Sequence, residues 1–165
     1  MGQWSRAELI EAFEQYQAVV AKCAESGEWS PFADLFTEDC TYVEHAYGSW
    51  QGREATRRWI IRTMTTFPGN QMVAFPPAWS TIDEERGWIL CDIRNLMRDP
   101  GDGGAHEATN ITILRYAGDG LWAEEEDVYN PAKFLTMVRE WCAAASAAGS
   151  LPDDASEWLR LTESL

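Results

Sequence analysis

Four residues on three separate β-like runs carry the side chains that move protons: His45, Asp92, Arg94 and Asp127. An imidazole titrates near neutrality, so His45 could take or give a proton under ordinary conditions. An arginine between two carboxylates keeps them ionised and oriented, leaving one able to activate water or abstract a proton. Arg94 with Asp92 and Asp127 offers that arrangement. Other groups could orient a guest. Tyr16 brings a hydroxyl, and Asn110 an amide that could donate to a developing oxyanion. Each also has a plainer reading: His45 as a hydrogen-bonded structural histidine, Arg94 in a solvated cross-strand ion pair, Asn110 satisfying a backbone group, Tyr16 packed in the core.

Alternation along a strand decides which of these side chains meet. His45 is expected to face inward, with Glu44 turned the other way. Asp92 and Arg94 share a parity with Trp88, Leu90 and Leu96, opposite Ile89, Cys91 and Ile93, whose apolar face is a candidate dimer surface. His106, Asn110 and Thr112 share one face, His106 as a rim residue beside a Gly-rich turn. Glu125, Asp127 and Tyr129 share another, with Glu124 and Glu126 opposite. Arg94 is the expected partner of Asp127. Trp79 and Trp122 are candidate walls of an aromatic cavity.

The elements that must position these groups follow from local signals. Ser5 with Glu8 forms a capping box, and Leu9, Phe13, Tyr16, Val20 and Cys23 recur at helical spacing until Gly27. Ser30-Pro31 opens a short helix carrying Phe32, Leu35 and Phe36. Residues 41–47 predict a strand, and a helix follows Gly52, with Ala55, Trp59 and Ile60 or Met64 inward, until Pro68-Gly69. Residues 72–82, 87–98, 105–116 and 121–129 are β-like runs separated by turn chemistry, with only the part of the first beyond Pro76-Pro77 expected to pair. Asn130-Pro131 starts a helix with Phe134, Val138 and Trp141 inward, ended by Gly149. The tail offers one short helical turn with Trp158, Leu159 and Leu161 docking. The expected unit is residues 1–165 as one domain, with a core of about 5–148 and a tail of 149–165. This element order is α+β.

Composition narrows the partners. The chain has 165 residues, 45% hydrophobic, with nine Trp, and carries 13 Lys plus Arg against 27 Asp plus Glu, a formal charge of −14. That field repels phosphate backbones and anionic headgroups, so neither nucleic acid nor membrane is expected as a partner. No apolar run approaches the ~20 residues that span a bilayer, and the first residues lack an apolar signal core, which points to the cytoplasm. Cys23, Cys40, Cys91 and Cys142 lie far apart and read as reduced and buried. The scattered histidines and acids show no metal-ligand spacing, and neither glycine-rich turn precedes a helix, so no metal and no cofactor is expected.

The segment from Gly27 to His45, followed by Gly52 to Ile60, resembles the SnoaL-like polyketide cyclase branch of the nuclear transport factor 2-like superfamily. The four β-runs and Tyr129-Asn130-Pro131 extend the likeness over nearly all of residues 5–145. The resemblance implies a cone-shaped α+β barrel, with N-terminal helices packed on a strongly curved, mainly antiparallel sheet, and a homodimer through the outer face of that sheet. His45 occupies the position resembling the general base of ketosteroid isomerases, Thr112 falls nearest their oxyanion-binding acid, and Asp92-x-Arg94 with Asp127 resembles, in reversed order, the Arg-x-Asp and last-strand aspartate of limonene-epoxide hydrolases. The expected function is cofactor-independent acid–base chemistry on an apolar, oxygen-bearing small molecule: isomerase, cyclase, dehydratase or hydrolase. The alternative is a non-catalytic dimeric ligand-binding or protein-interaction domain, because one fold hosts many functions.

Overall fold

The structure, a computed structural model, describes residues 2–163. The first helix, α1 (Arg6–Ser26), begins where the Ser5 hydroxyl accepts a hydrogen bond from the Glu8 amide. It ends where Gly27, at φ 74°, returns its amide to the Cys23 carbonyl. Leu9, Phe13, Tyr16, Val20 and Cys23 are all buried, as their spacing predicts. A 3-10 turn (Ser30–Leu35) leads into β1 (Phe36–Glu44), which forms a hairpin with β2 (Gly48–Gln51). Helix α2 (Arg53–Thr65) buries Thr56, Trp59, Ile60 and Met64.

Residues 72–83 form two short strands, β3 (Met72–Ala74) and β4 (Pro77–Asp83), and both pair with β5 (Trp88–Met97). The expectation that only the later part pairs is corrected. The prolines interrupt the edge strand at a register shift, where the Pro76 carbonyl still accepts from the Arg94 amide, and pairing resumes beyond. Strands β6 (Glu107–Gly118) and β7 (Leu121–Val128) complete the sheet. Helix α3 (Pro131–Ala148) starts from Asn130 and closes at Gly149 (φ 72°). Helix α4 (Asp153–Thr162) is longer than the single turn expected; Trp158 and Leu159 pack inward while Leu161 is exposed.

The sheet order is β2-β1-β7-β6-β5-β3, with β4 also on β5. Only the β1–β7 pair is parallel. The fold is α+β, helices packed on a curved, mostly antiparallel sheet that does not close. One buried cluster joins α1, α2 and the sheet around Leu9, Phe36, Ile89, Leu114 and Trp122, each fully buried. Burying one such side chain is worth roughly 1.5–3 kcal/mol. A second cluster packs α3 and α4 over the far end of β5 and β6, through Met97, Ala108, Trp141 and Ala155.

Candidate functional site

Between the helices and the concave side of the sheet lies a cavity of about 1000 Å³. Its walls are aromatic: Tyr42, Trp50 and Trp59 form a contiguous stack, with ring centroids 4.6 Å (Tyr42–Trp59) and 4.4 Å (Trp50–Trp59) apart. Trp29 and Phe32 continue the wall, and at another part the Tyr129 and Phe134 rings meet at a tilt with centroids 4.6 Å apart.

A polar network lies across this apolar lining. Asp127 on β7 is its centre. Its Oδ1 accepts from the Thr112 hydroxyl (2.5 Å) and the Asn110 amide (2.8 Å), both from β6, where Thr112 is its register partner. Its Oδ2 accepts from the Tyr42 hydroxyl of β1 at 2.6 Å. Asn95 on β5 holds Asn110 in place by donating to its Oδ1 at 2.8 Å. Two positions before Asp127, buried Glu125 lies 3.0 Å from the Tyr16 hydroxyl and 3.1 Å from that of Tyr42.

Tyr42 stands between two carboxyls with one phenol proton, so one of the two must hold a proton, and burial selects Glu125. Tyr42 has one hydroxyl proton, and its short contact to Asp127 uses it. The contact between Tyr42 and Glu125 then needs a proton from Glu125. Tyr16 donates to Glu125, Glu125 to Tyr42, and Tyr42 to Asp127. Burial pushes the Glu125 carboxyl well above the usual carboxylate range, and the neighbouring Asp127 charge adds to it. Asp127 is raised from 3.8 to about 6, chiefly by burial, with the Thr112, Tyr42 and Asn110 hydrogen bonds opposing. The arrangement pairs a neutral acid with a more readily ionised carboxyl through one shared phenol, and Asp127 keeps an edge open to the cavity.

Glu44 lies beside Asp127, as its register partner across the parallel β1–β7 pair. It is 4% exposed, lines the cavity, and neither carboxyl oxygen has a hydrogen-bond partner. Burial pushes its pKa up; the Tyr129 hydroxyl and the Ala46 and Tyr47 amides are near enough to oppose that push, but none meets hydrogen-bonding geometry at either oxygen.

Of the residues singled out from the sequence, Tyr16, Asn110, Thr112, Glu125, Asp127 and Tyr129 line the cavity. The structure does not bring His45, Asp92, Arg94, Trp79 or His106 to it. His45 is exposed and pairs with Glu126 at 2.9 Å, because β1 ends at Glu44 with Tyr42 and Glu44 inward. The faces of β5 are likewise the reverse of the expectation. Ile89, Cys91, Ile93, Asn95 and Met97 are buried, so Asp92 and Arg94 look outward, and Arg94 pairs with Glu107 at 2.5 Å instead of Asp127. Trp79 is 49% exposed on β4, His106 pairs with Asp102 across the turn at 3.0 Å, and Trp122 is core, not wall. Glu124 and Glu126 face outward as expected, both paired with Arg115.

Tyr42, Glu44 and Asn95 are the site residues that sequence reasoning missed. A polar residue recurring within an apolar alternation was the available signal: Asn95 follows Ile89, Cys91 and Ile93 at the same parity. Among the described residues, no group of three or more His, Cys, Asp or Glu could hold a metal ion, and no helix is long and apolar enough to cross a membrane. All four cysteines are buried and free.

Residues 5–123 match the SnoaL-like domain family, and the chain belongs to it. Solved structures share the fold. An NTF2-like protein from Anabaena variabilis has a TM-score of 0.58 at 15% identity, over 79% of this chain and 95% of that one. A Catenulispora acidiphila protein with a ketosteroid isomerase-like fold, in complex with trimethylamine, has a TM-score of 0.59 at 20% identity, over 81% and 93%. A Sinorhizobium meliloti protein inferred to be a polyketide cyclase has a TM-score of 0.51 at 17% identity, over 71% and 98%. These identities establish the fold and not a reaction. No curated protein matches the chain.

Proposed function

We propose that this protein performs cofactor-independent acid–base chemistry on an apolar, oxygen-bearing small molecule, with Asp127 carrying the proton. One observation carries the reading: the Asp127 carboxyl, held by three donors and its pKa pushed up by burial, stands at the edge of a large aromatic cavity. A base poised near the working pH both exists in its basic form and returns the proton readily. Tyr42 and neutral Glu125 form the relay behind it, and Asn110 and Thr112 fix the carboxylate's direction. Isomerisation, cyclisation and dehydration all begin with a positioned base of this kind, and hydrolysis uses it to activate water. Relatives of the fold that hold small guests, such as the trimethylamine complex, support a ligand in this cavity.

The test does not need the natural substrate. Apolar ketones incubated with the protein in D2O exchange their α-protons when a base and a stabilised enolate are available, and NMR reads the exchange. Asp127→Asn is expected to retain binding of a ketone that the wild type exchanges and to lose the exchange. Equal exchange by the variant would remove Asp127 as proton carrier. A guest that the wild type binds without exchange would instead favour a ligand-binding domain.

We also propose a homodimer through the outer face of the sheet. Trp88 and Leu90 of β5 with Ile111 and Ile113 of β6 are half-buried there in the single chain, an apolar patch that borders Asp92 and the Arg94–Glu107 pair on the same face. Ile89, Cys91 and Ile93 face the core and are not part of it.

A further inference from the structure

The cavity's ionisable lining is one-sided. Glu44, Glu125 and Asp127 stand on its wall, and among the described residues the only base lining it is Arg62, an exposed residue of α2. Glu125 is satisfied by Tyr16 and Tyr42, and Asp127 by its three donors. Glu44 has none: it is buried, faces the cavity, and both its oxygens lack a hydrogen bond. A buried carboxyl without a donor costs roughly 1–3 kcal/mol or more, and two carboxyls on neighbouring strands about 4.8 Å apart oppose each other's ionisation. Tyr42, on the same face as Glu44 and two residues before it, joins Trp50 and Trp59 in the aromatic stack, and aromatic faces attract cations. A missing donor, an uncompensated acidic pair and an electron-rich wall are answered by one kind of guest.

We propose that the cavity takes a small molecule bearing a protonated amine, seated at Glu44 beside the Tyr42–Trp50–Trp59 stack. The inference rests on the cavity being a ligand site, and it names the class of ligand. The ammonium supplies the N–H donors that Glu44 lacks, and the apolar body occupies the aromatic remainder. Asp127, already held by Tyr42, Asn110 and Thr112, remains available to move a proton on the body of the guest. Glu44 is thus a specificity-determining residue. A carboxylate or phosphate guest meets acids on the wall and is rejected.

The groups facing Glu44 are Asp127 from β7, Tyr129 beyond it and the Ala46 and Tyr47 amides between β1 and β2, none of them a cation. His45, adjacent in sequence, acts on Glu44 through its charge when protonated, but its ring is turned to Glu126 on the outside, so no ammonium or guanidinium reaches the Glu44 oxygens.

Three probes of one shape test this by calorimetry near neutral pH: 1-adamantylamine, 1-adamantanol and 1-adamantanecarboxylate. The expected order is the amine about tenfold or more tighter than the alcohol, a difference of about 1.4 kcal/mol, with the carboxylate weakest. Glu44→Gln keeps the shape and removes the charge; it is expected to bring amine and alcohol to within about threefold of each other, chiefly through loss of the amine's affinity. An amine that binds no tighter than the alcohol overturns the inference and leaves the cavity as a site for neutral guests. A tenfold preference that survives Glu44→Gln overturns the role of Glu44. Failure of all three probes to bind overturns the inference together with the ligand site on which it rests.

Discussion

Asp127 and Glu125 illustrate how two acids two positions apart on one strand reach different states. Glu125 is buried and Asp127 keeps an edge open to the cavity; Asp127 collects three donors, and Glu125 must supply a proton to complete its contacts. The consequence for stability has a definite sign. Asp127 is raised from 3.8 to about 6, and Glu44 and Glu125 are also raised. These groups hold protons more tightly folded than unfolded. Their contribution is therefore fully present below the unfolded values and is lost as pH rises through the folded ones. The melting temperature of Asp127→Asn relative to wild type is expected to shift in the variant's favour between about pH 4 and pH 6.5, then level off. Calorimetry at several pH values would check this; a difference independent of pH would contradict it.

At the scale of elements, helix starts and turns were legible because their signals are local. Ser5, Gly27, Asn130 and Gly149 cap helices where the sequence places them. Asn130→Ala is expected to cost about 1 kcal/mol, since its side chain accepts from the Ala132 amide at 3.0 Å, and to lower the melting temperature by roughly 2–4 °C. An unchanged melting temperature would show the cap to be dispensable. Strand parity was harder to read. On β5 both alternating sets are largely apolar, Ile89, Cys91 and Ile93 against Trp88, Leu90 and Leu96, so hydrophobicity does not say which faces the core. Assigning the inner face by its charged residues chose the wrong side. On β1 the register slips between Phe36 and Thr41, and the strand ends at Glu44, which excludes His45. On β7 the assignment of Glu125 and Asp127 to the cavity side agrees with the structure.

For the whole molecule, the α+β order and the family were legible from element succession, while the cavity's composition was not. It depends on residues from α1, β1, β5, β6 and β7 meeting only after the sheet has curved. The same curvature exposes the outer face of β5 and β6. Leu90→Asp places a second acid beside Asp92 within the apolar patch of that face without touching the cavity, and is expected to turn a dimer into a monomer by analytical ultracentrifugation. A wild type that sediments as a monomer, or a variant that stays dimeric, would remove the proposed interface. Arg115 stacked over Trp88 at 4.6 Å, and paired with Glu124 and Glu126, bounds the apolar face with charge.

The proposed proton transfer requires Asp127 to be a carboxyl with an altered affinity for its proton. A 13C NMR pH titration of the labelled aspartate side chains, assigned with Asp127→Asn, measures that property without any ligand. A midpoint of about 6 for Asp127 is the predicted result. A midpoint near 3.8, the value of an ordinary aspartate, would contradict the proposed proton carrier.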